Sequence, residues 1–358
     1  MNIYYYAFQM YQFSYSKPIY KKIGGIYVVK KFDRLLQFKR YFRGMNAESQ
    51  YHTFLNTPRV IKRNITQEFD GEGIVFSHSN INIKNKSDKC IRIFIGHGTG
   101  DKPYGGNRVG PKNLLNYEYI FVSGPKHLAR LNDSGVEIPS ERLIKIGNMR
   151  FDEYVNRDIN KKAVYKRLGI KDLSRKTVLY APTWRFGKGT FDKYVKKFCK
   201  EISPKYNLII RPHSHDAKHI PEIKVWAKLK GLKNIYFSNP SNLRFNDTMY
   251  DFAVSDIMIS DTSSVNYEYL ITGKPLIIID NQYKKLHKMP DEMNILNNVD
   301  IYDESIHISE LISDNLAENK YKEIHRKMLF DCFYFNDGKS TQRAIDFLKN
   351  LDPTLKLK

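Results

Sequence analysis

Short apolar runs, each leading into a polar turn that often carries glycine or proline, recur along this chain. Residues 73–77 (GIVFS), 91–95 (IRIFI), 119–123 (YIFVS), 143–146 (LIKI), 177–181 (TVLYA), 207–210 (NLII), 235–237 (IYF) and 257–260 (IMIS) read as buried strands. Between them apolar positions return at helical spacing, at 126–132, 249–254, 265–272, 308–316, 321–330 and 341–348, while 156–175 is charged and reads as a linker with a helix. Strand and helix alternate through both halves. That alternation predicts an α/β fold with mainly parallel sheets.

The clearest unit runs from Asp256 to Asp280. A strand enters the hydroxyl-rich turn Asp261-Thr262-Ser263-Ser264, a helix follows to Gly273, and Gly-Lys-Pro leads to the next strand, which makes one βαβ unit. First-turn N–H groups of such a helix point back at the loop with partial positive charge, so this turn can hold a phosphate. It can equally be a plain N-cap made by Asp261, Thr262 or Ser263.

Other strand exits carry chemistry as well. The run 91–95 opens into Gly96-His97-Gly98-Thr99-Gly100-Asp101-Lys102, where flanking glycines let the backbone turn sharply at the carboxyl edge of a sheet. His97 there suits a general base, or is an ordinary loop residue. Arg150 follows 143–146 and is placed either to reach an anion or to pair with Asp152 or Glu153. Pro182-Thr183-Trp184-Arg185 ends 177–181, and Arg211-Pro212-His213-Ser214-His215-Asp216 ends 207–210. An Arg and a His around a Pro give two cationic donors in a rigid turn. A metal at His213, His215 and Asp216 lacks a third ligand cluster, and none is expected. Loops on one edge of two facing sheets converge on the cleft between them.

Composition narrows the class of partner. A chain of 358 residues suits two domains, and 41% hydrophobic with 13% aromatic content excludes a disordered tail. Its net charge of +21 attracts polyanions: nucleic acid, an anionic leaflet or a phosphate-rich substrate. Cys90, Cys199 and Cys332 are odd in number and form no C-x-x-C pair, which fits a reducing cytoplasmic setting. No apolar run approaches the roughly 20 residues that cross a bilayer. The aromatic opening MNIYYYAFQMYQFSYS precedes Lys17, Lys21, Lys22, Lys30, Lys31, Arg34, Lys39, Arg40 and Arg43. This segment reads either as an amphipathic strip on an anionic membrane or as a first strand and helix with a basic face.

Taken in order, the loops resemble those of the CDP-glycerol glycerophosphotransferase family of teichoic acid primases and polymerases. His97-Gly98-Thr99, Met149-Arg150-Phe151-Asp152, Ala181-Pro182-Thr183-Trp184-Arg185, Arg211-Pro212-His213 and Ser260-Asp261-Thr262-Ser263-Ser264 carry the resemblance, with Asp337-Gly338-Lys339-Ser340 behind them. It runs from about His97 to Leu348. Gly100 stands where the family usually has Pro, Asp101-Lys102 replaces a Leu-Lys step, and Glu268 replaces Asp.

The resemblance implies a GT-B-like α/β architecture, two Rossmann-like domains facing a central cleft. Residues 1–155 form the acceptor and membrane side, 156–338 the donor side, and 339–358 a C-terminal helix with a basic tail. It further implies attack of an acceptor hydroxyl on the β-phosphorus of CDP-glycerol or another CDP-polyol, releasing CMP, without metal or cofactor. His97 is then the base, and Arg211 with His213 and the Ser263-Ser264 helix end stabilise the leaving phosphate. The donor site comprises Gly98, Thr99, Arg150, Thr183, Trp184, Arg185, Arg211, Pro212, Thr262, Ser263, Ser264 and Glu268, the last on hydroxyls of the polyol or ribose. Expected partners are a lipid-linked polyol-phosphate or saccharide acceptor and an anionic membrane surface, not nucleic acid, on the inner face of the membrane. A GT-B glycosyltransferase using a nucleotide sugar, or a non-catalytic polyanion binder, are the alternatives.

Overall fold

The computed structural model describes residues 1–42, 59–85, 87–104, 111–240, 247–282 and 286–357, with only the backbone of 40–42. Arg43 and Lys358, named above in the basic segment and tail, lie outside the described residues. Two sheets organise the chain. The first contains β1 (Ile3–Tyr6), β2 (Ile26–Val29), β3 (Arg59–Lys62), β4 (Gly73–Ser77), β5 (Cys90–Phe94), β6 (Tyr119–Val122) and β7 (Leu143–Lys145), in the order β3-β2-β1-β4-β5-β6-β7. The second contains β8 (Thr177–Tyr180), β9 (Asn207–Ile210), β10 (Ile235–Phe237), β11 (Ile257–Ser260), β12 (Leu276–Ile279) and β13 (Asp300–Tyr302), in the order β10-β9-β8-β11-β12-β13. Every pairing within them is parallel, for example Met258 with Leu276 and Ile74 with Ile3. The α/β expectation with two Rossmann-like sheets therefore holds.

Parallel sheets are covered on both faces, which is why these strands read as continuous apolar runs. Along β9, Ile209 enters one core of the second sheet while Leu208 and Ile210 enter the other. Each buried Ile or Leu contributes about 1.5–3 kcal/mol by leaving water. The first sheet is sandwiched likewise, with Tyr5 on one face and Tyr6 on the other.

The aromatic N-terminus is where the structure decides between the two readings. It is not a strip lying on a membrane surface: Ile3–Tyr6 is the strand at which the first sheet's order reverses, and Tyr5 and Tyr6 are buried. Tyr27 packs edge-on to Phe13 at 4.5 Å, Phe13 packs edge-on to Phe38 at 5.6 Å, and the Tyr5 hydroxyl donates to the Gly24 carbonyl at 2.7 Å. An aromatic strand in a parallel sheet shows no polar alternation, so its pattern resembles that of an interfacial segment.

The chain crosses between the halves twice. It passes to the second sheet after β7 and returns through Tyr334, whose N–H donates to the Ser123 carbonyl at 2.9 Å. The closing helix Ser340–Leu351 then packs Ala344, Ile345 and Leu348 into the first sheet's core. Asp152 ties the two crossings together, accepting from the Ser340 and Thr341 N–H groups at 3.1 and 2.7 Å. Loss of such a cap costs about 1–2 kcal/mol. Asp152→Ala is accordingly expected to lower the urea midpoint of unfolding by that equivalent, with the cleft residues unchanged.

Candidate active site

In open parallel sheets, ligands sit beyond the carboxyl ends of the strands where strand order reverses. Here that happens between β1 and β4 and between β8 and β11. The exits of β1, β5, β8, β9 and β11 meet around one cavity of about 290 Å³ between the two sheets. Of the residues expected from sequence, His97, Gly98, Arg150, Thr183, Trp184, Arg211, Pro212, His213, Thr262, Ser263 and Ser264 line it. Three expected residues do not. Thr99 is buried beside a smaller cavity, its hydroxyl 2.9 Å from that of Ser123. Arg185 points outward toward Asp192, and only its N–H works inward, donating to Asp216. Glu268, expected on hydroxyls of the polyol or ribose, lies outside the lining in a buried ion pair with Arg150.

The glycine loop after β5 reaches the opposite domain. Gly98 has φ +115°, and a Cβ there would come within 2.8 Å of the Ser264 hydroxyl. Ser264 stands at the start of the helix Val265–Tyr269, so the hydroxyl turn of the second half closes directly on the His97 loop. Only glycine satisfies both the backbone angle and that approach.

His97 and His213 share the cavity, with the Tyr11 ring 6.1 Å from one and 5.5 Å from the other. His97 Nδ1 bonds the His78 carbonyl, which leaves Nε2 as the ring's acceptor. Its side chain is exposed to the cavity while protein packs around the ring; that packing first, and then Arg130, lower its pKa toward about 4 against the opposing pull of that carbonyl. Burial, aided by His215, Lys102, His97 and Arg211, takes His213 to about 3. Both rings are neutral at pH 7, one a ready proton acceptor, the other stacked on His215 and beside Trp184.

Beneath them lies a buried ion network. Arg150 donates to Asp247 at 2.7 Å and to Glu268 at 2.6 Å, all three groups being at most 4% exposed. Tyr15 gives its hydroxyl to Glu268 at 2.8 Å and sets its ring against the guanidinium, while Lys17 pairs with Asp247 and Glu153. Burial alone lowers the pKa of Arg150, but Asp247 and Glu268 outweigh it; burial raises Asp247, and Arg150 with Lys17 bring it well below the usual carboxylate range. Arg150 thus pairs across the halves, not with its neighbours Asp152 or Glu153. Arg211 is held in the same manner, by Asp251 and Ser238 at 2.8 Å each.

A second carboxylate shapes the roof. Asp261 accepts from the Thr183 N–H, the Thr190 N–H and the Thr190 hydroxyl, all between 2.8 and 2.9 Å, and so orders the β8 exit rather than capping its own helix. Burial holds its carboxyl at about 6 against these donors and Lys102.

Several cavity residues carried no sequence signal. Tyr11 and Tyr15 come from the exit of β1, a strand that the sequence offered only as one of two readings and without site residues, and Arg130 comes from mid-helix in Pro125–Asp133. Among the described residues Arg130 makes no ion pair; it lies over Tyr104 at 3.9 Å, donates to the Gly98 carbonyl at 3.4 Å and leaves its buried Nε unpartnered. Lys102 and Asp247 sit in the lining as well. No group of three acidic, His or Cys side chains suited to a metal occurs among the described residues.

Residues 74–350 match the family model described as CDP-glycerol:poly(glycerophosphate) glycerophosphotransferase. The teichoic acid glycerol-phosphate primase of Bacillus subtilis is 25% identical over 75% of this chain and 70% of its own length. The teichoic acid poly(glycerol phosphate) polymerase of Staphylococcus epidermidis is 26% identical over 66% of this chain, which spans 33% of that relative. The solved wall teichoic acid polymerase TagF superposes with TM-score 0.65 at 19% identity, covering 98% of this chain and 88% of that one. A UDP-GlcNAc 2-epimerase from Neisseria meningitidis superposes with TM-score 0.56 at 13% identity, over 98% and 100% of the chains. At such identities these last two speak for the fold alone.

Removing Arg150 leaves two buried carboxylates facing each other, a loss of about 3–5 kcal/mol. Arg150→Ala is expected to unfold at markedly lower urea, whereas Gly98→Ala keeps its melting temperature within a few degrees and loses ligand binding in the cavity by calorimetry.

Proposed function

Because this chain belongs to the CDP-glycerol:poly(glycerophosphate) glycerophosphotransferase family, we propose that it transfers glycerol phosphate from CDP-glycerol to a hydroxyl of a lipid-linked acceptor and releases CMP. The product is a teichoic acid or capsule-like polymer. The observation that carries this reading is the meeting of neutral His97 with Arg130, Arg211, Lys102 and the Ser263-Ser264 turn in one interdomain cavity. A diphosphate needs fixed positive charge and N–H donors, and an alcohol nucleophile needs a proton acceptor.

In this scheme the acceptor oxygen bonds to the β-phosphorus as its proton passes to His97 Nε2. The bridging P–O bond breaks and its electron pair leaves on the phosphate of CMP; His97 then returns the proton to solvent. Charge developing on the leaving phosphate is met in this scheme by Arg211, His213 and the turn at Ser264, all of which line the cavity. The net charge of +21 favours an anionic membrane carrying the acceptor. Among the described residues no helix is long and apolar enough to cross a membrane, which is compatible with peripheral attachment at the inner face. The test is acceptor-dependent CMP release from CDP-glycerol, compared with CDP-ribitol and UDP-sugars; release of UDP alone would overturn it.

His97→Ala is expected to lower kcat roughly 10²- to 10⁴-fold with donor Kd within a fewfold of wild type. The pH profile gives a second check. With the base at about 4 in the empty enzyme, the acid limb of kcat/KM falls near pH 4. A bound diphosphate places negative charge beside the ring and raises its pKa, so the acid limb of kcat should lie at higher pH than that of kcat/KM. An acid limb that stays at the same pH in the residual activity of His97→Ala counts against His97 as base.

A further inference from the structure

Behind His97 lies a second, smaller cavity of about 40 Å³, which shares Tyr15, His97 and Gly98 with the lining of the main one. Its chemistry is the opposite of its neighbour's. The main cavity is lined by Lys102, Arg130, Arg150 and Arg211, whereas no Lys, Arg, Asp or Glu is among the described residues lining the small one. What it presents instead is neutral hydrogen-bonding groups. Thr99 and Ser123 share one hydrogen at 2.9 Å, which leaves one hydroxyl hydrogen and several lone pairs for a guest. Asn148 accepts from the Arg150 N–H through Oδ1, and its Nδ2 makes no hydrogen bond to the described residues. Tyr104 and His127 pair at 2.8 Å on the far wall.

We propose that this pocket is the acceptor subsite, and that it takes the hydroxymethyl end of an open-chain polyol, with the nucleophilic hydroxyl at its mouth beside His97. The assignment rests on the phosphotransfer reading above. A diphosphate favours the adjoining cavity, which is lined by Lys102, Arg130 and Arg211, over one whose described lining residues carry no charge, whereas an uncharged diol finds hydroxyl and amide partners there. Size sharpens the choice. The volume admits about three water-sized groups, enough for a terminal CH₂OH and its neighbour and too small for a pyranose ring. His97 lines both cavities, so an oxygen at the boundary faces the base on one side and the β-phosphorus on the other.

The test uses the full chain, CDP-glycerol and two sets of short lipid-linked acceptors, ending in glycerol phosphate or in a pyranose. Wild type should prefer the open-chain end by at least about tenfold in kcat/KM. Thr99→Val and Ser123→Ala each remove a hydroxyl at nearly constant volume, and should raise acceptor KM about 3- to 10-fold while donor KM stays within twofold. Ser123→Leu fills the pocket and should raise acceptor KM further, with calorimetric CDP-glycerol binding kept as the measure of an intact fold. Equal use of pyranose ends, or variants that shift donor KM rather than acceptor KM, would overturn the subsite and leave phosphotransfer standing. A wild-type chain that releases no CMP from any CDP-polyol would overturn both.

Discussion

The geometry of this cleft hangs on Arg150, a guanidinium buried between Asp247 and Glu268. Arg150 follows the last strand of the first sheet, while its two carboxylate partners belong to the second half. Tyr15 and Lys17 bring the exit of β1 to the same cluster. A buried charge with its partner removed is far costlier than the intact pair is stabilising, so the two halves are held to one relative position by the penalty for separating them. Asp101, Lys126 and Tyr267 form a second such tie, with the carboxylate 2.8 Å from the lysine and 2.6 Å from the tyrosine hydroxyl.

From that fixed position the chemistry of the walls follows. Loops brought together across the cleft lower the pKa of His97, which is open to the cavity, and of half-buried His213, and they set Arg130, Lys102 and Arg211 around the same space. Most carboxylates near the cavity are already engaged: Asp247 and Asp101, which line it, pair with Arg150 and Lys126, while Glu268, Asp251 and Asp261 each orient a cationic side chain or a loop. His97 lines both this cavity and the smaller one, whose described lining residues include no Lys, Arg, Asp or Glu.

Much of this was legible along the chain, and the failures have physical causes. From Gly73 onward every strand but β13 (Asp300–Tyr302), which is short and partly exposed, announces itself as an apolar run, and the Arg, His and hydroxyl residues at the strand exits are visible with them. Glu268 misled, since its spacing from Ser264 places it on the helix's inner face without revealing that Arg150 waits there. Arg185 misled in the other direction: its loop reaches the cleft, but the side chain turns toward Asp192. Arg130 and Tyr15 carried no mark at all.

Local order is a property of neighbours in sequence, and the chain alone therefore determines the strand–helix alternation, the parallel sheets it entails and the polar turns at the strands' ends. Which of those turns face a common space depends on strand order and on how two sheets sit against each other. Only the tertiary structure made β1 a reversal-point strand and placed Tyr11 and Tyr15 in the cleft. It also moved Glu268 from ligand to ion-pair partner, and set a neutral pocket behind His97. Each of these depends on contacts between residues far apart in sequence, from Ile3 beside Ile74 to Tyr15 against Glu268, and no local pattern encodes them.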